Sequence, residues 1–482
     1  MAKKIKVADN VERGNTGLAI KAGFWYVAST FLLKGIAFLT IPIFSRLLSK
    51  NDYGEFANYA NWQATLLVIT GAELYNSLSR AYYDFKKDYD QFISSVVILS
   101  ILNTAVVYIL FILNSTWVLN VVKIPSQFVH VMFFTLMCSS CKALYLTRER
   151  TLYRYRSVAV ISAIDTIIPT IIAVLLVAAS KESARLSARI YGFYLPSSAI
   201  GLTCALVLLE KGKSFKRSHC IYALKLSLPL LLHYLTVSLL TSTNTIIANN
   251  LGGPALGAEI SMATSVIHLL TILFQALSGA LTTWMMDNLA QEQYFKIKKE
   301  SVLFIAGLAA VSVGVILIAP ELIRILGGEQ YYSSVALIPW LVIAAFIQSL
   351  TTILTIILTY DKNVVKTAII AGIAAVSSVV LKVLLFPQYG AICLPVVNIV
   401  ICSIMLFANY MLVSQAGYKK AVPFGKYGLF ICIVLGVGLL SSFLYTHSMV
   451  RYGIVGIMAA VAVGTLILYR DALKRIIKKR ET

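Results

Sequence analysis

The sequence predicts an all-α protein that crosses a membrane about fourteen times. Of its 482 residues, 59% are hydrophobic and 13% are charged, whereas about a quarter of the residues in an average soluble domain are charged. The apolar residues form long runs, and most Lys and Arg residues lie in the short segments between those runs. Because helices pair their own backbone groups inside a bilayer, we expect each run to be a transmembrane helix.

The apolar runs set the order of the helices. A bilayer core requires about 20 residues per helix, and the runs that meet this length lie near residues 20–44, 55–80, 92–118, 127–147, 157–180, 190–209, 224–249, 257–287, 301–319, 334–360, 365–386, 391–414, 427–446 and 452–470. No loop between them is long enough for a soluble catalytic domain. We therefore expect a protein that is not an enzyme.

The basic residues predict the orientation of these helices. One set of alternate loops, together with both chain ends, holds about four times as many Lys and Arg residues as the other set. Such an excess is typical of cytoplasmic loops, so we expect both termini in the cytoplasm. The net charge of +21 is thereby explained by topology and does not indicate nucleic-acid binding.

Cysteines and short motifs give no sign of catalysis. The seven cysteines are scattered, mostly inside apolar runs, and do not form a disulfide framework. The sequence has no P-loop, no HExxH motif and no nucleophile elbow. We therefore expect no cofactor and no metal site. The basic N-terminal segment leads directly into a full-length span, so we also expect no removable signal peptide.

The chain also contains a weak internal repeat. The stretch FSRLLSKNDYGEF (Phe44–Phe56) follows the first span, and IANNLGGPALGAEI (Ile247–Ile260) follows the seventh. An offset of 203 residues aligns Gly54 with Gly257 and predicts two six-helix lobes in a parallel repeat. The predicted parts are a cytoplasmic tail (1–20), an N-terminal lobe (21–210), a C-terminal lobe (211–415), two further helices (416–471) and a basic cytoplasmic tail (472–482).

Polar side chains form one-sided stripes on three predicted helices. Polar residues inside a membrane are expected to face the protein interior. The stripe of the second span is Asn58, Asn61, Thr65, Glu73, Asn76 and Arg80. That of the eighth span is Ser261, Thr264, His268, Thr271, Gln275, Ser278 and Thr282. On the seventh span Lys225, His233 and Asn244 cluster with Pro229, which permits a bend. We expect these stripes to line a shared, wet cavity, the alternative for each single residue being helix packing.

Lys34 lies in the middle of the first span. A lysine at that depth costs about 2.5–3.5 kcal/mol on insertion scales, so we expect Lys34 to face the cavity. Lys382 lies nearer the outer end of its span and is expected to reach the membrane surface. Asp165 is expected to form either a helix–helix hydrogen bond or a salt bridge. The resulting cavity is cationic, which favours an anionic passenger.

Two stretches of the chain resemble a known family. They are IPIFSRLLSKNDYGEFANY (Ile41–Tyr59) and GAELYNSLSRAYYD (Gly71–Asp84). Both are similar to the polysaccharide transporter family, the flippases of O-antigen, capsule and exopolysaccharide repeat units within the multidrug/oligosaccharidyl-lipid/polysaccharide (MOP) superfamily. In the resemblance, Arg46 matches the arginine after the first helix and Arg80 the one that ends the second.

The resemblance implies a multi-pass protein of the bacterial inner membrane with a MATE-like fold. Its implied cargo is undecaprenyl-diphosphate bearing a short oligosaccharide, moved to the outer leaflet for lipopolysaccharide or other surface polysaccharide. A polysaccharide polymerase and a chain-length regulator are implied partners of a monomeric transporter. The expected substrate-binding residues are Lys34, Arg46, Glu73, Arg80, His233, Asn244, His268 and Gln275.

Three alternatives stay open at this point. The first is a lipid II-type flippase, which shares the lipid carrier. The second is a MATE-like multidrug antiporter, although such antiporters typically bear an acidic residue in the first helix, where this chain has Lys34. The third is a membrane glycan polymerase or ligase, which the short loops disfavour. The sequence leaves open the sugars, the coupling ion, the facing state and the role of the last two helices.

Overall fold

The computed structural model describes residues 35–36, 38–361, 363–458, 460, 461 and 464. Within these ranges all regular secondary structure is α-helix or 3-10 helix, and no strand is present. The predicted all-α class is confirmed. Lys34 lies outside the described residues.

The helices follow one another with short connections. The first half contains α1 (Phe38–Leu47), α2 (Lys50–Gly71), α3 (Ser77–Asp84), α4 (Tyr89–Leu113), α5 (Ser115–Val122), α6 (Ser126–Thr151), α7 (Tyr155–Ala179) and α8 (Arg185–Gly212). The second half contains α9 (Arg217–Gly252), α10 (Pro254–Ala290), α11 (Tyr294–Leu317), α12 (Ala319–Leu326), α13 (Ile338–Tyr360), α14 (Val364–Tyr389) and α15 (Cys393–Gln415). Two further helices follow, α16 (Phe424–Thr446) and α17 (Ser448–Met458).

Local sequence explains where the central helices begin and end. Ser49 caps α2, because its hydroxyl oxygen accepts a hydrogen bond of 3.1 Å from the Asp52 backbone N–H. Helix α9 ends at Gly252, and Gly253 follows it with a φ of 90° that suits a residue without a Cβ. Pro254 then starts α10, where its missing N–H and fixed φ are tolerated.

The outer surface of the helices is apolar. Ten helical segments of the described residues are long and apolar enough to cross a membrane, while Phe38–Leu47 and Ser448–Met458 are shorter apolar helices. Leu175 and Ile373, for example, are 62% and 64% exposed. A surface with so many exposed apolar side chains is expected to face lipid. The chain is a multi-pass membrane protein, and the count of fourteen spans stays a prediction.

The second predicted span is not one continuous helix. Helix α2 ends at Gly71, and the next two residues, Ala72 and Glu73, have φ angles of 45° and 53°. Left-handed backbone is disfavoured for residues with a Cβ, so two in succession turn the chain before α3 begins at Ser77. The single polar stripe predicted along this span is therefore wrong beyond the break.

Helix packing in the two halves is repeated. Helices of the first half pack as the pairs α2/α6, α4/α6, α6/α8 and α7/α8, and those of the second half pack as α10/α13, α11/α13, α13/α15 and α14/α15. Each half also has an eight-residue helix at the corresponding place, α5 and α12. The sequence analysis had not separated these short helices from the spans before them. This succession agrees with the predicted parallel repeat.

The two halves meet where α2 crosses α10, at the end of the molecule predicted to face outwards. A Cβ built on Gly54 would lie 1.8 Å from the Pro254 carbonyl oxygen, so the two backbones are in direct contact. Lys50, one turn earlier on α2, forms an ion pair with Glu259 on α10. Tyr53 lies in the same buried hydrophobic cluster as the core of the second half. We call this crossing the outer joint.

Each half also contacts the short helix of the other half beside the outer joint. The Asn250 side-chain nitrogen, in the last turn of α9, donates to the Val121 carbonyl oxygen of α5 over 2.6 Å. The Ser45 hydroxyl, in the last turn of α1, donates to the Leu326 carbonyl oxygen of α12 over 2.6 Å. The two contacts join corresponding pairs of helices, α9 with α5 and α1 with α12. They fasten the halves together at this end.

The last two described helices pack on the second half. Helix α16 contacts α11 and α13. Arg451 on α17 forms an ion pair with Glu321 on α12 and is 4% exposed.

Candidate functional site

A cavity of about 420 Å³ lies within the second half, between α9, α10, α13 and α15. Its lining contains no Asp, Glu, Lys or Arg among the described residues. The larger polar side chains of the lining are Asn244, His268, Gln275, Gln348 and Asn398. The hydroxyl-bearing ones are Thr241, Thr264, Thr271, Ser278, Ser349 and Thr352. The cavity therefore offers neutral hydrogen-bonding groups in an otherwise apolar wall.

The hydroxyl groups are held by their own helices. Thr264 donates to the Ile260 carbonyl oxygen over 2.7 Å, and Thr352 donates to the Gln348 carbonyl oxygen over 3.1 Å. Such bonds satisfy the hydroxyl proton inside a membrane helix. Each hydroxyl oxygen keeps acceptor capacity, which leaves these residues able to accept a hydrogen bond from a ligand.

A hydrogen-bonded chain of side chains forms one wall of the cavity. Ser378 donates to the Asn398 side-chain oxygen over 3.3 Å, and the Asn398 side-chain nitrogen donates to the Asn244 side-chain oxygen over 3.3 Å. In this arrangement the Asn244 oxygen is occupied as an acceptor. Its amide nitrogen is the group with which Asn244 can donate to a ligand.

Three of the predicted substrate-binding residues, Asn244, His268 and Gln275, line this cavity. His268 and Gln275 are exposed although α10 lies between other helices, because both side chains face the open space. Their role in binding stays a prediction. Lys34 and the side chain of His233 lie outside the described part of the chain.

The other predicted residues lie elsewhere. Arg46 donates to the Ile325 carbonyl oxygen over 3.1 Å, beside the outer joint. Glu73 lies in the break after α2, where its carboxylate accepts from the Asn76 amide over 3.1 Å. Arg80 lies beyond that break on α3, exposed and 3.2 Å from Asp84. These three residues were expected in the cavity lining, but the cavity of the second half does not include them. Arg46 lies at the outer joint, and the helix break places Glu73 and Arg80 away from the line of α2.

The polar stripe on α2 packs against protein. Asn58, 1% exposed, donates to the Val122 carbonyl oxygen of α5 over 3.0 Å. Thr65, 4% exposed, accepts from the Ser238 hydroxyl of α9 over 3.1 Å. The prediction that these two residues line a wet cavity is wrong, since helix–helix hydrogen bonds occupy them.

Two deep charged residues differ from their expected surroundings. Lys382 does not reach the membrane surface: it is 0% exposed, and its Nζ donates to the Thr243 hydroxyl over 3.1 Å. For Asp165 the structure selects the salt bridge, since both of its carboxylate oxygens lie 2.7 Å from Lys142 Nζ. Ser197 completes that cluster by donating to Asp165 over 2.7 Å.

The sequence analysis missed the wall supplied by α13. Gln348, Ser349 and Thr352 line the cavity from this helix. The available signal was the polar segment QSLTT within an otherwise apolar span. Asn398, which lines the cavity from α15, was a second polar residue in the middle of a predicted span.

Comparison with known families identifies the chain. Residues 19–281 match the model of the family described as polysaccharide biosynthesis protein, which is more than half of the chain. The chain belongs to this family. No curated protein sequence matches it significantly.

Several solved structures share the fold. The lipid II flippase MurJ in an inward closed conformation has a TM-score of 0.66 and 15% identity, covering 92% of this chain and 99% of MurJ. An inward-facing multidrug resistance MATE family transporter of the MOP superfamily has a TM-score of 0.61 and 14% identity, covering 80% of this chain and 95% of its own. A MOP superfamily transporter from Pyrococcus furiosus, described as having a binding pocket of reverse polarity, has a TM-score of 0.52 and 14% identity, covering 84% of this chain and 100% of its own. This member of the polysaccharide biosynthesis family thus has the fold of these MOP superfamily structures.

Proposed function

We propose that this transporter is a flippase for undecaprenyl-diphosphate-linked oligosaccharide repeat units. It moves them from the cytoplasmic to the outer leaflet of the bacterial inner membrane, for assembly of O-antigen, capsule or exopolysaccharide. The lipid tail stays in the bilayer while the head group crosses through the protein.

The observation that carries this proposal is the lining of the cavity in the second half. Sugar hydroxyls both donate and accept hydrogen bonds, and the cavity supplies amide, imidazole and hydroxyl partners from four helices. Ligand sites typically have a mostly apolar wall that carries a few precisely positioned polar groups. A neutral polar wall fits an oligosaccharide better than it fits an organic cation.

The contact between the halves supports alternating access as the mechanism. The outer joint closes one end of the molecule by backbone contact at Gly54 and by the ion pair of Lys50 with Glu259. Rocking of one half against the other would open that end. A membrane potential that is negative inside favours outward movement of an anionic head group by about 2.3 kcal/mol per charge per 100 mV.

The alternatives predict different cargo. A lipid II-type flippase uses the same polyprenyl diphosphate and differs only in the sugars and peptide. A multidrug antiporter needs an anionic group for its cationic substrates, and the described cavity lining has none. A polymerase or ligase would need catalytic groups in an external loop.

The test is transport in reconstituted liposomes. Undecaprenyl-diphosphate carrying a short oligosaccharide is placed in both leaflets, and a glycosidase added outside reports the fraction that becomes accessible. We expect the protein to make nearly all of the glycan accessible, whereas empty liposomes leave about half protected. Transport of lipid II in preference to the oligosaccharide would favour the first alternative, and ethidium efflux without glycan transport would favour the second.

Lys34 provides a test of the cationic cavity predicted from sequence. We expect Lys34→Ala to abolish transport because the diphosphate loses its counter-charge, and Lys34→Arg to retain part of it. Lys366→Ala, which removes an exposed lysine from α14, is the control and should transport normally. Normal transport by Lys34→Ala would contradict the predicted role.

A further inference from the structure

Lys382 is a buried lysine for which the described residues supply no acidic partner. It lies on α14 at 0% exposure and contacts α9 through the Thr243 hydroxyl. The Thr243 hydroxyl donates in turn to the Leu239 carbonyl oxygen over 2.6 Å. An ammonium group carries three N–H donors, and a buried charge is costly unless a counter-charge compensates it.

The first half also contains a deep lysine, and a carboxylate compensates its charge. Lys142 lies between α6, α7 and α8, and the carboxylate of Asp165 compensates its charge at 2.7 Å. Lys382, on α14, lies against the Thr243 hydroxyl of α9 and near the Cys393 and Cys402 thiols of α15. The chain therefore neutralises one deep lysine and leaves the other without a described counter-charge.

Lys382 lies directly behind the cavity wall. Thr243, its hydrogen-bond partner, is the sequence neighbour of Asn244, which lines the cavity. Cys402, also part of the lining, is near enough to Lys382 to interact with its charge. Because the intervening region is buried and poorly screened, a charge on Lys382 acts on whatever occupies the cavity.

We propose that this cavity is an oxyanion subsite of the transporter, with Lys382 supplying the counter-charge from behind the wall and Asn244 donating the direct hydrogen bond. The oxyanion is either the diphosphate of the lipid carrier or the carboxylate of an acidic sugar, and this choice of cargo rests on the proposed function. The positive potential requires only that Lys382 be protonated, and it does not depend on that function.

The potential can be measured without cargo. The seven cysteines are replaced, and Thr241→Cys is introduced, since Thr241 is exposed in the cavity. The detergent-solubilised protein is labelled with a sulfonate-bearing and a trimethylammonium-bearing methanethiosulfonate. Both reagents react with the same thiol, so its intrinsic reactivity cancels in the ratio of the two labelling rates. The ratio therefore reports the electrostatic potential at residue 241. We expect Lys382→Met to lower the anionic-to-cationic ratio by at least about tenfold, because a unit charge within about 10 Å, at an effective dielectric constant near 20, changes the two rates in opposite directions.

Companion variants separate charge from packing. Lys382→Arg should keep the ratio of the parent, and Lys382→Gln, which retains a hydrogen-bond donor, should lower it as Lys382→Met does. Lys366→Met removes an exposed lysine from the same helix and should leave the ratio unchanged. An unchanged ratio in correctly folded Lys382→Gln, or an equal drop in Lys366→Met, would overturn the proposal. Size-exclusion chromatography checks folding.

Protection from labelling identifies the anion. Slower labelling in the presence of undecaprenyl diphosphate assigns the subsite to the carrier, and slower labelling with glucuronate assigns it to an acidic sugar. Equal protection by glucose and glucuronate, or protection by neither anion, would overturn the subsite. A failure of glycan transport in liposomes with an intact rate ratio would instead count against the proposed function alone.

Discussion

The backbone contact between Gly54 and Pro254 makes Gly54→Ala a direct test of the outer joint. A Cβ at this position would lie 1.8 Å from the Pro254 carbonyl oxygen and 3.1 Å from the Ala258 backbone nitrogen. To restore a carbon–oxygen contact of roughly 3.3 Å, α2 and α10 must separate by about 1.5 Å. Both opposing atoms belong to the backbone, so no side chain can turn away. Overpacking of this kind costs about 1–3 kcal/mol.

This cost falls on one conformation. Helices α2 and α10 belong to different halves, and a conformation with the outer joint open removes the clash. We therefore expect Gly54→Ala to shift the equilibrium towards the open joint by about 5–150-fold, the factor that corresponds to 1–3 kcal/mol.

The assay is oxidative cross-linking across the joint. Cysteines replace Lys50 and Glu259, whose side chains meet in the closed joint, in a background without other cysteines. We expect Gly54→Ala to slow disulfide formation, by up to the same factor where the open joint becomes the major state. Gly307→Ala on α11 is the control, because a Cβ there meets no heavy atom within 4 Å. Equal cross-linking rates in the parent and Gly54→Ala would refute the inference that this backbone contact closes the outer end.

Three further outcomes are expected. Gln348→Ala should weaken glycan transport roughly fivefold, the value of about one hydrogen bond, as measured in the liposome assay; unchanged transport would exclude α13 from the binding wall. Lys142→Met should lower the free energy of unfolding by about 2 kcal/mol because it leaves the partly buried Asp165 carboxylate without its counter-charge, and adding Asp165→Leu should recover most of that loss in a thermal unfolding assay. Lys50→Glu should favour the open outer joint because it places two carboxylates together, and adding Glu259→Lys should restore the closed joint. Spin-label distances across the joint are the readout. Failure of the double exchange to restore the closed distance would show that the ion pair is not involved.

The membrane class and the repeat could be predicted from sequence because both depend on local patterns. An apolar run of about 20 residues specifies a spanning helix with little influence from its neighbours. The alignment of Gly54 with Gly257 located α2 and α10 as equivalent helices, and these two cross at the outer joint. The stripe on α10 placed His268 and Gln275 on one face, and the cavity lies against that face.

Tertiary structure decided which polar residues meet open space. Periodicity gives the face of a helix but not its neighbour. The offset of 203 aligns Thr65 with His268, yet α9 covers Thr65 whereas the cavity adjoins His268. Continuous helical geometry was assumed for the second span, and two left-handed residues at Ala72 and Glu73 interrupt it. The burial of Lys382 depends on α9 and α15 packing over α14. The sequence alone shows how deep a residue lies along its span. Whether that residue meets water, lipid or another helix is decided only by how the helices pack.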